Sequence, residues 1–306
     1  MQEDVMSQQN DLIKRIKVHY NQLSKGQKLL ADYITNHYEK AVFLTAAKLG
    51  TIVGVSESTV VRFANELGYD GYPKLQRALE ELVKNKLTSI QRVNVTSDRI
   101  DKDQILKHVL HADMEKIKVT LEELDNDHFN KAIDYIMEAK TIYIVGVRSS
   151  ASLAGFLGFY FNLMFDNVKL IHTNSVSEMF EQIHRISEED VMIGISFPRY
   201  SKRTLKAMEY AKSRKGKVLA ITDSPISPMV QFSDVSLVAR SEMVSFVDSL
   251  VAPLSLINAI IVALSMRKKD TIVESLERLE NIWNEYQVYE NDDDINLNYS
   301  LRLDQH

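Results

Sequence analysis

"GVSESTVVRFANELGYDGY", Gly54 to Tyr72, decides how the first third of the chain is read. With Ser56 as N-cap and 100° per residue, Val60, Val61, Phe63, Ala64 and Leu67 gather on one side of a helix. Ser58, Thr59, Arg62, Asn65 and Glu66 gather opposite. The outward face is therefore short hydroxyls, one guanidinium and one amide, groups that hydrogen-bond base edges or phosphates. Just before it, Ala46, Leu49, Ile52 and Val53 keep helical spacing, and Gly54 permits the sharp turn of a helix-turn-helix. Downstream, Tyr69, Tyr72 and Lys74 stand where they can touch a DNA backbone. A surface helix whose polar face meets water has the same periodicity, so pattern alone leaves both readings open.

Working outward, "LSKGQKLLADYITNHY" places Leu29, Leu30, Tyr33 and Ile34 at helical spacing behind a capping Ser24. The polar stretch "NKLTSIQRVNVTSDRIDKDQ" reads as a hinge. From Asp103 to Leu124 a long amphipathic helix is expected, carrying Ile105, Leu106, Val109, Met114, Ile117 and Leu121. After it the pattern changes. "TIYIVGV", "NVKLI", "DVMIGIS", "KVLAIT" and "VSLVA" are short β-branched runs separated by helical segments such as "SASLAGFLGFYFNLMF" and "SKRTLKAMEYAKSRKG". That alternation implies a parallel sheet covered on both faces, with ligands beyond the carboxyl ends of the strands. Thr271 to Tyr289 reads as one more helix, followed by a polar end.

Composition narrows the possibilities without choosing among them. The 306 residues, 45% hydrophobic and 26% charged, suit one large or two ordinary globular domains. The absence of cysteine removes disulfides and thiolate chemistry and suits a cytoplasmic protein. The N-terminus lacks a basic region leading into an apolar one, so no secretory signal is expected. "FVDSLVAPLSLINAIIVALSM" nears membrane-spanning length but carries Asp248, Pro253 and Asn258, which favour a buried helix and no membrane association. The formal net charge is -5, yet residues 1–90 hold twelve basic against ten acidic side chains, leaving the acidity in the remainder. The eight histidines are scattered without ligand spacing, so neither a metal nor another cofactor is expected.

Two strand-to-helix loops carry candidate ligand groups. After the first strand, "GVRSSASLAG" places Ser149 and Ser150 where free backbone amides and hydroxyls could cradle an anion. It has neither the Gly-Lys-Ser/Thr of a nucleotide loop nor a GxGxxG pattern. After the third strand, "SFPRYSKRT" sets Ser196 and Ser201 around a turn at Pro198, with Arg199, Lys202 and Arg203 close in sequence. Either serine pair could equally be an ordinary helix cap. His172, Thr173 and Asn174 after the second strand, and Glu242 to Asp248 before the last large helix, are further positions able to line a ligand.

The run Leu44 to Leu75, centred on "VSESTVVRFANELGYDGYPKLQ", resembles the helix-turn-helix of the RpiR (MurR/RpiR) family of bacterial transcription regulators, with Gly50 where that family usually has alanine. The loops and strand spacing resemble the SIS (sugar isomerase) domain that forms the C-terminal part of those regulators. The resemblance implies an all-α N-terminal domain at 1–90, a connecting segment at 91–127, a three-layer αβα SIS domain with a five-stranded parallel sheet at 128–267, and a helix with a polar tail at 268–306. It implies operator DNA and a phosphosugar effector as partners, and a homodimer or dimer of dimers. By position Ser150 matches the family's first-loop phosphate serine, and Ser196 and Ser201 match the outer hydroxyls of its Ser-x-Ser-Gly-x-Thr/Ser loop. Arg148 and Arg199 replace glycines and Pro198 replaces the middle hydroxyl, so the two arginines are expected to supply anion contacts in place of lost donors.

The expected protein is a regulator of carbohydrate metabolism, controlled by a bound phosphosugar that favours one arrangement of the sensor domains and, through the helix after Asp103, resets the spacing of two recognition helices. An aldose-ketose isomerase with helices serving oligomerisation is the alternative, because isomerases share the SIS fold. It would need a base such as Glu178, Glu181 or His184 beside the sugar, though their spacing also fits a solvated helix face. An adaptor binding a phosphosugar and only protein partners is a third reading.

Overall fold

The computed structural model describes residues 12–86, 102–173, 175–241 and 247–289. They fall into two compact units. The first runs to Glu122 and includes the short segments Phe197–Arg199 and Arg240–Ala252. The second comprises Glu123–Ser196, Tyr200–Ala239 and the chain from Pro253 onward.

The first unit is helical. α1 (Leu12–His19), α2 (Lys25–Asn36), α3 (Tyr38–Ala41), α4 (Ala46–Val53), α5 (Glu57–Glu66) and α6 (Gly71–Lys86) enclose one core containing Leu30, Ile34, Leu49, Val60, Phe63, Leu67, Leu75 and Leu79. Ser24 starts α2 through a reciprocal cap, its Oγ accepting from the Gln27 N–H while Gln27 Oε1 accepts from the Ser24 N–H. Leu29, whose spacing groups it with Leu30 and Ile34, instead faces solvent. A stripe that includes adjacent residues is wider than the contact one helix makes. Gly50 is not a loose position: a Cβ there would lie 2.7 Å from the Val55 carbonyl oxygen. Alanine would gain about 1 kcal/mol of helix propensity but force a backbone shift costing about 1–3 kcal/mol, so glycine is the better residue in this packing.

α7 (Ile105–Glu123) is the long helix expected after Asp103. Within the first unit, Thr120 Oγ1 accepts from the Arg240 N–H at 2.9 Å, and the Ser249 hydroxyl donates to Asp113 at 2.6 Å. Its large apolar side chains are not what these bonds cover. Leu106, Leu110, Met114 and Leu121 are all more than half exposed.

The second unit alternates strand and helix: α8 (Asn126–Glu138), β1 (Ile142–Gly146), α9 (Ser150–Met164), β2 (Val168–Ile171), α10 (Val176–Ile183), β3 (Val191–Ile195), α11 (Lys202–Ser213), β4 (Lys217–Thr222), β5 (Val235–Val238), α12 (Val251–Arg267) and α13 (Lys269–Glu285). All five runs read as strands are strands. Every pairing is parallel and the order is β2-β1-β3-β4-β5. The sheet interior is apolar throughout β1 and β3, every residue of which is buried, as burial on both faces requires. Asp125 caps α8, and the N–H groups of His128 and Asp127 that it accepts hold its carboxyl below the usual range. No single helix among the described residues is long and apolar enough to cross a membrane.

Candidate DNA interface and ligand loops

The turn between α4 and α5 is built from caps. Gly54 closes α4 with left-handed backbone, φ 78°, its N–H donating to the Gly50 carbonyl at 2.8 Å. Ser56 opens α5, its hydroxyl accepting from the Thr59 N–H at 3.3 Å. Two helices thus meet at a three-residue turn, with Val60, Phe63, Ala64 and Leu67 locked into the core.

Outside lie Ser58, Val61, Arg62 and Asn65, an i, i+3, i+4, i+7 stripe opposite the buried one, with Glu57 and Glu66 also exposed. Val61 is a correction to the helical wheel: it is 36% exposed and belongs to the outward face, while Thr59 sits half-buried at its edge. Several polar groups on this face already have internal work. The Ser56 hydroxyl lies 2.9 Å from those of Ser58 and Thr59, Arg62 Nε donates to the Ser58 carbonyl at 3.3 Å, and Asn65 Oδ1 accepts from the Gly71 N–H at 3.0 Å.

Among the downstream candidates, Lys74 is exposed in the first turn of α6. Tyr69 is half-buried against the core, with the Arg15 guanidinium 4.9 Å above its ring. Tyr72 is only 4% exposed, and its hydroxyl donates to the Leu44 carbonyl at 2.7 Å. It fastens the segment ahead of α4 to α6 and does not present itself to a DNA backbone. Burial pushes its pKa up to about 12.

In the second unit the strand order is decisive. In the order 2-1-3-4-5, β1 and β3 lie side by side while their following connections diverge, and the crevice at that reversal is where open parallel sheets bind ligands. Gly146 at the end of β1 pairs with Ile195 at the end of β3, so the loops beginning at Val147 and Ser196 leave the sheet together. A Cβ on Gly146 would come within 2.5 Å of the Ser150 carbonyl oxygen, which places the first turn of α9 directly against the strand end. Ser150 and Ser196 are both 4% exposed. Ser196 Oγ accepts from the Ser201 N–H at 3.1 Å, and Ser201 in turn caps α11. Ser149 is exposed at the N-cap of α9, its side chain making no capping bond.

Arg148 and Arg199 are exposed and adopt left-handed backbone, φ 60° and 66°. Those are conformations that glycine enters freely and that cost other residues roughly 1–2 kcal/mol. Thr173 has its hydroxyl engaged at the start of α10, with the Glu178 carboxylate and with the Ser175 N–H, while its carbonyl accepts from Arg203 at 3.1 Å. Glu178, Glu181 and His184 are exposed along α10, and His184 Nδ1 lies 2.6 Å from the Glu181 carbonyl oxygen. Glu242 and Asn174 lie outside the described residues.

The loop after β4 holds buried polar groups beyond those the sequence pattern pointed to. After β4, Thr222, Asp223, Ser224 and Ser227 are all buried, Tyr200 donates to Asp223 Oδ1 at 2.8 Å, and the Thr222 hydroxyl donates to that of Ser227 at the same distance. The sequence signal was available: four polar residues in six, straight after an apolar strand.

A capped helix-turn-helix ahead of an open parallel sheet with hydroxyls at its switch point defines a DNA-binding regulator with an attached ligand domain. Residues 10–86 match the helix-turn-helix domain of the rpiR family and residues 135–263 match the SIS domain. An uncharacterised HTH-type transcriptional regulator of Clostridium perfringens is 26% identical over 71% of this chain and 77% of its own length. The HTH-type transcriptional regulator HexR of Escherichia coli is 24% identical over 70% of this chain and 73% of its own. Among solved structures, the sugar isomerase domain of an RpiR transcription factor from Sphaerobacter thermophilus aligns with TM-score 0.56 and 26% identity, covering 58% of this chain and 99% of that one. The Vibrio vulnificus NanR protein, complexed with ManNAc-6P, shares the fold at TM-score 0.57 and 19% identity, over 92% of this chain and all of that one. The chain belongs to the RpiR family of helix-turn-helix transcriptional regulators, with a C-terminal SIS domain.

Proposed function

We propose that this protein binds operator DNA through α5, chiefly through Ser58, Arg62 and Asn65, and that a phosphosugar held at the carboxyl ends of β1 and β3 controls that binding. The observation that carries the proposal is the register Gly146 to Ile195, which brings two hydroxyl-bearing loops, each opening a helix, to one switch point. Ser149, Ser150, Ser196 and Ser201 are the phosphate candidates in the second unit, and Arg148 adds a cation beside the first of them. The ManNAc-6P bound to NanR supports the ligand class. The reading places the protein in the cytoplasm with its operator and makes it a sensor, not an enzyme. The exposed carboxylates and His184 on α10 belong to a solvated helix face under this reading.

The protein is also proposed to act as a homodimer or a dimer of dimers, because a helix-turn-helix reads paired half-sites. The apolar stripe on α7, with Leu106 72% and Leu121 74% exposed, favours association with another copy.

The test is fluorescence-anisotropy binding to DNA from the protein's own promoter region, at fixed salt, against scrambled competitor and with a panel of sugar phosphates. Selective binding shifted by one phosphosugar is expected. No selectivity, combined with turnover of a sugar phosphate on the same panel, would instead establish an isomerase.

A further inference from the structure

The outward stripe of α5 contains one residue that hydrogen bonding does not explain. Val61 stands beside Asn65 and Ser58 at the edge of that stripe, 36% exposed. The other three residues of the stripe are partly committed: Ser58 shares its hydroxyl with Ser56, Arg62 spends Nε on the Ser58 carbonyl, and Asn65 spends its oxygen on Gly71. A β-branched residue is also a poorer helix former than alanine, so local helix stability does not favour valine at an exposed position. A helix presented to the major groove meets one apolar group on the base edges, the C5-methyl of thymine.

Resting on the DNA-binding reading above, we infer that Val61 is a specificity-determining residue that packs its γ-methyls on a thymine methyl in each half-site. Ser58 and the amide nitrogen of Asn65 flank it on the same stripe, so the apolar contact lies beside the hydrogen-bonding ones and fixes the register of the reader along the groove. The base pair opposite Val61 is thereby selected for thymine over cytosine, which presents an amino donor and no methyl.

The full-length protein would be used to enrich bound duplexes from a random-sequence DNA library, and each thymine of the recovered site would then be replaced singly by deoxyuridine, which lacks only the methyl. One thymine per half-site is expected to lose about fourfold in affinity on losing its methyl, the effect of one buried methyl group. Val61→Ala is expected to bind that methylated site more weakly and to be indifferent to the same replacement. Selective binding with no thymine that responds, or a response undiminished in Val61→Ala, would overturn the inference while leaving the DNA-binding reading intact. Recovery of no preferred sequence by the parent protein would overturn both.

Discussion

Residues 12–86 and the residues after them handle left-handed backbone in opposite ways. In the helix-turn-helix region every described position with positive φ is glycine: Gly54, Gly68 and Gly71. Beyond it every such position carries a long side chain: Arg148, Arg199, Lys215 and Gln287. Glycine enters that conformation freely, so the turns of the reader are built for geometry alone. An arginine there costs roughly 1–2 kcal/mol, which the rest of the structure must offset. Two of the four, Arg148 and Arg199, follow β1 and β3 in the loops proposed to hold the ligand, whereas Lys215 and Gln287 follow helices. Lys215, at the end of α11 and away from the strand carboxyl ends, is the internal control: its strain has no candidate ligand beside it.

The largest effect that would sharpen this contrast is at a glycine in the ligand domain itself. Gly146→Ala would drive a Cβ to 2.5 Å from a backbone oxygen, costing about 1–3 kcal/mol and displacing the Ser150 turn. Thermal unfolding of the SIS domain should shift down and phosphosugar affinity should fall with it. Next is Gly54→Ala. Nothing lies within 4 Å of its added Cβ, so the loss of about 1–2 kcal/mol is purely the left-handed conformation. A loss below a few tenths of a kcal/mol by denaturant unfolding would break the argument that geometry alone selects glycine there.

Tyr72→Phe tests the reassignment of that residue from DNA to core. It should cost about 0.5–1.5 kcal/mol for the bond to Leu44 and leave DNA affinity unchanged at temperatures where the domain is folded. The burial that holds its phenol neutral up to about 12 also sets a pH dependence. The unfolded chain releases that proton near pH 10, so the contribution is intact below pH 10 and is lost as pH rises through 10 to 12. The variant should lack that part of the alkaline decline in stability.

The smallest effects are gains. Arg148→Gly should relieve left-handed strain, net of glycine's greater unfolded-state freedom, by about 0.5–1 kcal/mol and weaken phosphosugar binding. Lys215→Gly should give a similar gain with affinity unchanged. Equal affinities in both variants would remove Arg148 from the ligand site.

Local pattern carried far in this chain. The five strands, the capped α2, the turn at Gly54 and the long α7 were legible because each rests on near-neighbour chemistry: β-branched runs, serine caps, a left-handed glycine and helical spacing. Where the reading missed, the deciding contact was distant in sequence. Val61 and Leu29 sit at stripe edges, and which edge is buried depends on the neighbouring helix. Tyr72 reaches back 28 residues to Leu44, a contact no local pattern encodes.

By itself the sequence determined the five strands, the helix-turn-helix and the hydroxyl-bearing loops, because caps, turns and periodicity act over a few residues. Only the tertiary structure decided the order β2-β1-β3-β4-β5, and with it which two loops share a crevice. Strand order is set by long-range pairing and by how helices cover the two faces, and neither leaves a local mark in the chain.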